Sequence, residues 1–432
     1  MLDHYVEPEN QTSEKELIQL KQALIAVVRM DLEESPPDSA REYQVRVRDL
    51  IKTSYEKVAE VFPLSEQARL NLFSEVEDEI TGFGPIQPLL ADQDISEIMI
   101  YGPEQVYVER NGKLEDTDVK FEDEDHVMRV ITRILSPLGR RVDQDNLMAD
   151  ARLPDGSRVN IAIPPVSVDG PSITIRKFLE SKLTIQQIIQ LGTMTAHMAE
   201  FLQACVASKL NILITGNTSS GKTTLLNILA GSIPDEERII TIEDAAELKL
   251  NQKYLVRMET RMPDIDGKGG VVTRDLVRNA LRMRPDRIVV GEVRSGEALD
   301  MLQAMNTGHD GSLTTLHANS PRDAVSRLET MSMMAGLDMP LMALRTQIAA
   351  AIDLIVHMER LSDGSRKVTH ITEVPRMEGD IVTLSDIFKF DQTGVSPDGK
   401  VQGEMEATGL RPLFTPRLEA AGFRLRGEIF GV

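Results

Sequence analysis

The feature that most constrains this chain is the eight-residue segment Gly216–Thr223, which reads Gly-Asn-Thr-Ser-Ser-Gly-Lys-Thr. It matches the phosphate-loop pattern G-x-x-x-x-G-K-[S/T], in which backbone N–H groups and a helix N-terminus point at phosphate oxygens. An apolar β-type run, Leu210–Thr215, precedes the segment, and a helix-type run, Leu225–Ala230, follows it. A strand, a glycine-rich turn and a helix in this order predict a nucleotide-binding α/β domain.

Each part of this loop has an expected task. Gly216 and Gly221 permit the tight backbone. Lys222 is expected to reach the β- and γ-phosphates of ATP, and the Thr223 hydroxyl to hold Mg²⁺. The other residues expected to contact the nucleotide are Asn217, Thr218, Ser219, Ser220 and Thr224.

The composition is that of a soluble, multi-domain protein. With 432 residues, of which 41% are hydrophobic and 27% charged, the chain exceeds a single compact core. Its one cysteine, Cys205, rules out a disulfide framework and a zinc site with several cysteines, and suits a reducing compartment. We see no signal peptide, and polar residues interrupt the longest uncharged stretch, Leu183–Ala199, so no transmembrane span is expected. The expected location is the cytoplasm.

The charge of the chain argues against nucleic acid as a direct partner. The net charge is −20, from 48 basic and 68 acidic residues. Non-specific nucleic-acid binding depends largely on Lys and Arg contacts to phosphates, which an acidic surface disfavours. The segment Lys253–Arg294 is an exception, with ten basic and six acidic residues. Such a block is expected to face nucleotide phosphates or a neighbouring subunit.

Changes of pattern along the chain predict three domains. Residues 1–82 carry three amphipathic helical patterns after about 13 polar residues that we expect to be disordered. Residues 83–192 contain short strands, turns and one helix, which predict a small α+β domain and a connector. Residues 193–432 begin with alternating strands and helices, which predict a mostly parallel sheet between helices. The predicted strands there are Leu210–Thr215, Arg238–Ile242, Arg287–Val290 and Ser312–Leu316.

Turnover needs carboxylates near the γ-phosphate, and two predicted strands end in acids. Ile239–Ile242 runs into Glu243, and Ile288–Val290 runs into Gly291 and Glu292. Both glutamates are placed to hold the Mg²⁺ shell or to orient the attacking water. The alternative is a purely structural role, in which Glu243 stabilises a helix N-terminus by its negative charge. At the second site Gly291 stands where a Walker B motif usually has an Mg²⁺-binding aspartate, so Glu292 needs help from another acid.

Histidines and arginines supply further candidates. His309 and His317 flank the predicted strand Ser312–Leu316, where they either pack structurally or sense the γ-phosphate; a metal role lacks a third ligand. Arg274, Arg278 and Arg282 share one helical face, which is either solvated or aimed at phosphate. The α+β domain contributes three arginines that are candidates to reach the γ-phosphate from outside the phosphate-loop core: Arg152, Arg158 and Arg176.

Four segments of the chain together resemble the secretion-superfamily ATPases, specifically the CpaF type that powers tight-adherence pilus assembly. They are the phosphate loop GNTSSGKTT, the Asp box RIITIEDAAEL, the Walker B segment around RPDRIVVGEVRSGEAL, and the His box GHDGSLTTLHANS. Upstream, GRRVD, ADARLPDGSRVNIAIPP and ITIRKF resemble the nucleotide-capping domain of the family. The resemblance covers about residues 130–350. The Gly-Glu form of Walker B is typical of this superfamily.

The resemblance implies a fold and a mechanism. Residues 83–192 would form a PAS-like capping domain, and residues 193–432 a RecA-like ATPase domain that binds Mg-ATP against it. It implies a homohexameric ring that docks on an inner-membrane platform protein from the cytoplasm. Matching positions assign Lys222 and Thr223 to phosphate and Mg²⁺, and Glu243 and Glu292 to water and metal. They assign further arginines to Arg257 and Arg261, and capping-domain arginines to Arg152, Arg158 and Arg176.

Two other functions remain open at this point. Type IV secretion traffic ATPases are a close branch, and the helical N-terminal region favours the pilus branch over them. Type II secretion ATPases are disfavoured because their paired Cys-x-x-Cys motifs are absent. A nucleotide-gated scaffold with little turnover is the third reading, against which the intact acids argue. Spacing does not decide which of Glu243 and Glu292 is the general base.

Overall fold

The computed structural model describes residues 13–37, 39–110, 112–178, 183–263 and 267–431. The chain divides into two compact units, Met1–Leu179 and Glu180–Val432. The predicted disorder of the first 13 residues concerns, except for Ser13, positions outside the described residues. Ser13 itself caps a helix with its side chain, so the prediction is wrong there. The finer division into domains at residues 82 and 192 stays a prediction.

The first unit begins with three amphipathic helices, as the sequence predicts. A serine precedes each helix and its hydroxyl accepts a backbone N–H of the first turn, which is a common N-cap. The apolar stripes of the three helices pack together around buried residues such as Leu24, Val47 and Val76. The helices of this unit are α1 (Glu14–Glu34), α2 (Ala40–Glu56), α3 (Glu66–Thr81), α4 (Gln87–Ala91) and α5 (Glu124–Leu135).

An antiparallel sheet completes the first unit. Its strands are β1 (Ile95–Tyr101), β2 (Gln105–Arg110), β3 (Lys113–Asp116), β4 (Met148–Arg152), β5 (Arg158–Ala162) and β6 (Ser172–Arg176). In the described part of the chain the six strands lie in the order β3-β2-β1-β6-β5-β4. Alternate residues such as Ile98, Ile161 and Ile175 are buried in one core with Val130 and Ile134 of α5. One face of the sheet is therefore covered by α5.

The second unit is built on a mixed sheet. Its strands are β7 (Ile212–Gly216), β8 (Ile239–Glu243), β9 (Leu255–Glu259), β10 (Arg287–Val290), β11 (Leu313–His317), β12 (Leu354–Arg360), β13 (Arg366–Glu373), β16 (Ser385–Val395) and β17 (Val401–Ala407). Over the described ranges the order is β17-β16-β13-β12-β7-β11-β10-β8-β9. The strands from β12 to β9 in this order run parallel to one another. At the other end of the sheet, the pairs β12–β13, β13–β16 and β16–β17 are each antiparallel. A small separate hairpin joins β14 (Met377–Glu378) and β15 (Ile381–Val382).

Helices cover both faces of this sheet because its central strands are apolar on both sides. Ile212 and Ile214 of β7 are buried with α7 and α8, whereas Leu213 is buried in a second core with helices α9 to α12. The helices are α6 (Ile185–Gln190), α7 (Ala196–Ala207), α8 (Lys222–Ala230), α9 (Thr273–Ala280), α10 (Glu297–Asn306), α11 (Pro321–Met333), α12 (Leu341–Ala351) and α13 (Thr415–Ala420).

The α/β class predicted for this part of the chain is confirmed. The four predicted parallel strands all form, within two residues of their predicted bounds. The edge strand β9 and the helix α12 were not predicted. Among the helices that the structure describes, none combines the length and the apolar character needed to cross a membrane.

Candidate nucleotide-binding site

The candidate residues of the second unit meet where its parallel strands end. Gly216, Glu243 and His317 are the last residues of β7, β8 and β11, and Glu292 is the second residue after the end of β10. Because β7, β8, β10 and β11 are parallel, these ends lie along one border of the sheet, which we call the carboxyl edge. Ligands of open α/β sheets bind at this edge.

The phosphate loop has the backbone that its glycines predict. Gly216 and Gly221 have φ angles of 150° and 98°, and α8 begins directly after Gly221. A Cβ atom at Gly216 would collide with the carbonyl oxygen of Met358 in β12. Ser219 has a φ of 60°, a left-handed conformation that costs a non-glycine residue about 1 kcal/mol or more. The loop is thus held in a conformation that other contacts must stabilise.

Lys222 is buried at the mouth of this loop. Its Nζ atom donates to the carbonyl oxygens of Gly216 and Asn217, at 3.1 and 3.0 Å, and lies 3.3 Å from His317 Nδ1. Burial lowers the pKa of Lys222, and the nearby carboxylate of Glu292 opposes that shift. The ammonium group therefore rests on backbone carbonyls, beside the amides that would face a phosphate.

Glu243 is the more deeply buried of the two acids. Its Oε1 atom accepts the backbone N–H groups of Glu247 and Leu248, both at 2.9 Å. Its Oε2 atom is buried and has no hydrogen-bond partner within the described residues. Burial raises the pKa of this carboxyl to about 7, although the two backbone donors act to lower it.

The packing around Glu243 explains the unusual Gly291. A Cβ atom at Gly291 would lie 3.0 Å from Glu243 Cγ, which is tighter than ordinary van der Waals contact. The carbonyl oxygen of Gly291 accepts a hydrogen bond from Thr315 Oγ1 at 2.7 Å. An aspartate in place of Gly291 would thus press on the side chain of Glu243, which would have to shift. The glycine allows the first acid to occupy the space beside the second.

Glu292 belongs to a chain of alternating charges. Its Oε1 atom lies 3.1 Å from His317 Nε2, and its Oε2 atom accepts from Arg294 Nη2 at 2.8 Å. Arg294 also pairs with Asp244, with 3.1 Å between Nη1 and Oδ2. Burial and the charge of Lys222 lower the pKa of His317. These groups link the phosphate-loop lysine to both acidic strand ends.

The unsatisfied atoms at this edge fit a Mg-nucleotide. Ser220 Oγ and Glu243 Oε2 are both buried without a hydrogen-bond partner in the part of the chain that the structure describes. Buried polar atoms are nearly always satisfied in native proteins, so orphans beside a phosphate loop indicate a missing partner. Thr223, the second residue of α8, is half-buried and follows Lys222 directly. The loop amides and these oxygens suit a phosphate and a hydrated hard cation.

The two predicted histidines do not share a site. His309 precedes β11, with its Nδ1 atom 3.2 Å from the carbonyl oxygen of Ala304 and its own carbonyl accepting from Ser312 Oγ. His317 ends β11, so the strand separates the two by about 15 Å. The expectation that His309 and His317 both contact nucleotide stays a prediction. No group of three or more metal-binding side chains forms in the described ranges.

The predicted arginines of the second unit have different surroundings. Arg257 in β9 donates to the carbonyl oxygen of Ala246 at 2.9 Å, and Arg261 lies just beyond the end of β9. Both are close to the strand that ends in Glu243, since β9 pairs with β8.

The arginine face predicted at α9 is partly solvated, with Arg278 and Arg282 exposed, and two of its three arginines pair with an acid of the next helix. The Nε atoms of Arg274 and Arg278 each lie 2.7 Å from the carboxylate of Asp300, a buried residue of α10. These two arginines therefore hold α9 against α10. Arg282 lies beyond the end of α9, where its Nη1 atom donates to the carbonyl oxygen of Arg278.

In the first unit the structure brings three predicted arginines together. Arg152, Arg158 and Arg176 are direct cross-strand partners on β4, β5 and β6. They lie on the face of the sheet opposite α5, because the neighbouring Val159 and Ile175 are buried against α5. Like charges directly opposite one another destabilise a sheet. The row concentrates positive charge on this face, and Arg176 Nε lies 3.8 Å from Glu97 Oε1. A contact of these arginines with nucleotide stays a prediction.

Two residues at the carboxyl edge escaped the sequence reasoning. Arg294 was detectable in principle, because it follows Glu292 by two residues. Arg366, the first residue of β13, donates from Nε to the carbonyl oxygen of Ser219 at 3.0 Å. Its distance of 147 residues from Ser219 left no local signal.

Comparisons with known proteins agree with this geometry. The family model described as type II/IV secretion system protein matches residues 79–392. A putative conjugal transfer protein of Mycobacterium tuberculosis is 35% identical over 316 residues, which cover 72% of this chain and 89% of the relative. The type IV secretion system protein VirB11 of Bartonella quintana is 33% identical, over 68% of this chain and 92% of the relative.

One solved structure adds information about the fold. The pilus retraction motor PilT with bound ADP aligns with a TM-score of 0.51 and 22% identity, over 66% of this chain and 80% of that chain. This similarity supports the architecture of a phosphate-loop domain.

Proposed function

The chain belongs to the type II/IV secretion system protein family, and from this membership we propose that it is a motor ATPase that hydrolyses Mg-ATP to drive assembly of a tight-adherence pilus. One observation carries the proposal. At the carboxyl edge, His317 connects Glu292 to the lysine of the phosphate loop, and the neighbouring strand end, Glu243, has a buried oxygen without a partner among the described residues. Such acids distinguish a hydrolase from a protein that only binds nucleotide.

The residues of the phosphate loop bind and orient the nucleotide. Its amides and Lys222 hold the β- and γ-phosphates, and the Thr223 hydroxyl with Glu292 holds Mg²⁺, partly through water. When bound, Mg²⁺ neutralises charge on the phosphates. The ion pair with Arg294 fixes one oxygen of Glu292. The other oxygen, Oε1, lies 3.1 Å from His317 Nε2 and has no hydrogen-bond partner among the described residues, which suits the metal side of the site.

Glu243 is the better candidate for the general base. A base works best when its pKa lies near the working pH, and burial raises the pKa of Glu243 to about 7. Its backbone donors bind one oxygen and leave the other for a water molecule. We therefore assign proton removal from the attacking water to Glu243.

Arginines from outside the phosphate loop would complete the site. The row Arg152, Arg158 and Arg176 concentrates positive charge on an open sheet face, as a triphosphate requires. We assign these arginines to closure over the nucleotide, within a homohexameric ring, and Arg257 and Arg261 to the neighbourhood of Glu243.

The pilus assignment rests on the helical region. The family match begins at residue 79, after most of α1 to α3, so this bundle is an addition to the shared motor. We propose that the motor acts in the cytoplasm and docks on a platform protein of the inner membrane. Direct nucleic-acid binding is not part of the proposal, given a net charge of −20.

Type IV secretion is the second candidate. It is favoured by the identity of 35% to a putative conjugal transfer protein and of 33% to VirB11. A strain that lacks the chain separates the two functions. Loss of surface fibres in electron micrographs, with substrate transfer intact, supports the pilus motor. Loss of substrate transfer with surface fibres intact supports type IV secretion instead.

Glu243→Gln tests the enzymatic part of the proposal. Glutamine keeps the acceptor for the N–H groups of Glu247 and Leu248 but cannot take a proton. We expect Mg-ATP turnover to fall by about 100-fold or more, with ADP affinity retained. Glu292→Gln is the comparison variant, for which we expect a higher Mg²⁺ requirement. Wild-type turnover in both variants would contradict the proposal, and ATP binding without turnover in the wild type would indicate a scaffold.

A further inference from the structure

A β-hairpin, residues 354–373, lies beside the phosphate loop in space, although it comes much later in the chain. It consists of β12, a turn over residues 361–365 and β13, and we call it the loop hairpin. Strand β12 runs parallel to β7, with Met358 paired to Gly216. Because β13 is antiparallel to β12, its first residue, Arg366, lies opposite Arg360 and thus at the carboxyl edge.

The loop hairpin contacts the phosphate loop at both ends. Before the loop, Thr215 Oγ1 and His357 Nδ1 form a buried hydrogen bond of 2.8 Å. Within the loop, Arg366 Nε donates to the carbonyl oxygen of Ser219 at 3.0 Å. Near its end, a Cβ atom at Gly221 would lie 3.4 Å from both Arg366 Cδ and Met358 Cε. The side chain of Arg366 therefore lies on the side of Gly221, the residue that caps α8, to which a Cβ atom would point.

The contact with Ser219 falls on the most strained residue of the loop that is not glycine. Ser219 has the left-handed φ of 60°, and a hydrogen bond to its carbonyl fixes the peptide that follows it. That peptide carries the N–H group of Ser220, which donates to the carbonyl oxygen of Asn217 inside the phosphate loop at 3.3 Å. This hydrogen bond from Arg366 is the contact through which Arg366 supports the left-handed conformation of Ser219.

Arg366 also brings charge that no neighbour cancels. Within the described residues, no carboxylate forms an ion pair with its guanidinium, in contrast to Arg294 beside Glu292 and Asp244. The side chain is exposed, and Nε alone is committed to Ser219. The two Nη atoms keep their N–H donors available in the immediate surroundings of the loop.

We propose that Arg366 is a positioning residue for the phosphates of a nucleoside di- or triphosphate, acting through the carbonyl of Ser219. The proposal rests on the nucleotide site proposed above and adds a residue to it. Arg366 holds the loop in its phosphate-accepting conformation, so its loss weakens nucleotide binding. It does not touch Glu243 or Glu292, so the rate of the bound state depends on it little.

Arg360 provides a matched control on the same hairpin. It is exposed, carries the same charge and is the direct cross-strand partner of Arg366. Replacing either arginine removes one positive charge from the same end of the hairpin, but only Arg366 donates to the phosphate loop. A difference between the two variants therefore reports the contact with Ser219 rather than general electrostatics.

The experiment measures the KM and kcat of Mg-ATP turnover and the Kd of ADP for the full chain. For Arg366→Ala we expect KM and Kd to rise about tenfold, with kcat changed less than about twofold. For Arg360→Ala we expect values within about twofold of wild type. Arg366→Lys keeps the charge without the Nε geometry, and we expect it to fall between wild type and Arg366→Ala.

The outcomes separate this inference from the proposed function. If Arg366→Ala binds ADP as tightly as Arg360→Ala, or loses kcat with an unchanged KM, the positioning role is wrong. Lys222→Ala serves as the reference for the site itself: if it binds ADP like wild type, the nucleotide site fails as well. Circular dichroism melting of each variant shows whether it is folded. If Arg366→Ala is unfolded, the ADP Kd of Arg366→Lys is the test instead. A wild-type Kd for Arg366→Lys would then contradict the positioning role of Arg366.

Discussion

The two borders of the parallel sheet in the second unit use buried polar residues in opposite ways. At the carboxyl edge, Lys222 rests on backbone carbonyls, and Glu243 and Ser220 keep polar atoms without partners in the described part of the chain. At the other border, where strands β7, β10 and β11 begin, the polar side chains bind one another. We call this border the amino edge.

Arg287 and Asn211 dominate the amino edge. Arg287 has no exposed surface, and its guanidinium forms two hydrogen bonds with Glu237, at 2.7 and 2.9 Å, and one with the carbonyl of Val206. Asn211 accepts the N–H groups of Gly311 and Ser312 and donates to the carbonyl oxygen of Ala351. The hydrogen-bonding capacity of these groups is spent inside the chain.

The difference teaches how to read a buried charge. Arg287 and Lys222 are both buried cations at the start of a strand or of a helix, and burial alone would rank Arg287 as the stronger candidate. What separates them is the remaining capacity of their neighbours. A saturated network stabilises the fold, whereas unsatisfied donors and acceptors around a glycine-rich loop indicate a ligand.

Removing Lys222 should break the carboxyl edge functionally and leave it structurally intact. For Lys222→Ala we expect turnover of Mg-ATP to fall by about 100-fold or more, because the γ-phosphate loses its charge partner. Burial lowers the pKa of Lys222, so the fold holds its charge at a cost. We therefore expect the free energy of urea unfolding to fall by less than about 1 kcal/mol. A large loss of stability with normal turnover would show that Lys222 supports the fold and not the reaction, and would contradict this assignment of the carboxyl edge.

Removing Glu237 should have the opposite effect. Glu237→Gln leaves the charge of Arg287 buried without its counter-ion, which typically costs about 3–5 kcal/mol of unfolding free energy. We expect urea unfolding to detect this loss, with turnover per folded molecule unchanged. Asp235→Asn, an acid to amide change two positions away, is the control and should be nearly neutral.

The pH dependence of this loss gives a second measurement. Burial raises the pKa of Glu237, but the hydrogen bond and charge of Arg287 outweigh it and hold the pKa below the ordinary 4.5. Between the folded pKa and 4.5, the unfolded chain therefore binds more protons than the folded one. The pair stabilises the fold above pH 4.5, and this contribution disappears as the pH falls through the folded pKa. The difference between wild type and Glu237→Gln should shrink in acid. A constant difference would show that shape, not charge, matters.

The two histidines give the smallest and most direct test, since β11 has one at each edge. For His317→Ala we expect kcat to fall about tenfold, because Glu292 and Lys222 both lose a contact. For His309→Ala we expect a change below about twofold, because the imidazole meets only the carbonyl of Ala304 among the described hydrogen-bond partners. Equal effects of the two substitutions on kcat would contradict the distinction between the edges.

The sequence by itself determined the features that depend on neighbouring residues. The phosphate loop, the strands that lead to Glu243 and Glu292, and the three amphipathic helices of residues 1–82 all follow from local spacing. Apolar periodicity and glycine punctuation are properties of a few consecutive residues, so the linear order of the side chains is enough to recognise them. The α/β class follows for the same reason.

Only the tertiary structure decided which polar groups keep free capacity. His309 and His317 have the same sequence setting, yet one lies among backbone carbonyls and the other beside Glu292. The reach of Arg366 to Ser219 and the fit of Gly291 against Glu243 join residues that are far apart in the chain. Hydrogen-bond satisfaction and steric contact depend on which segments the fold brings together, and no local pattern encodes that.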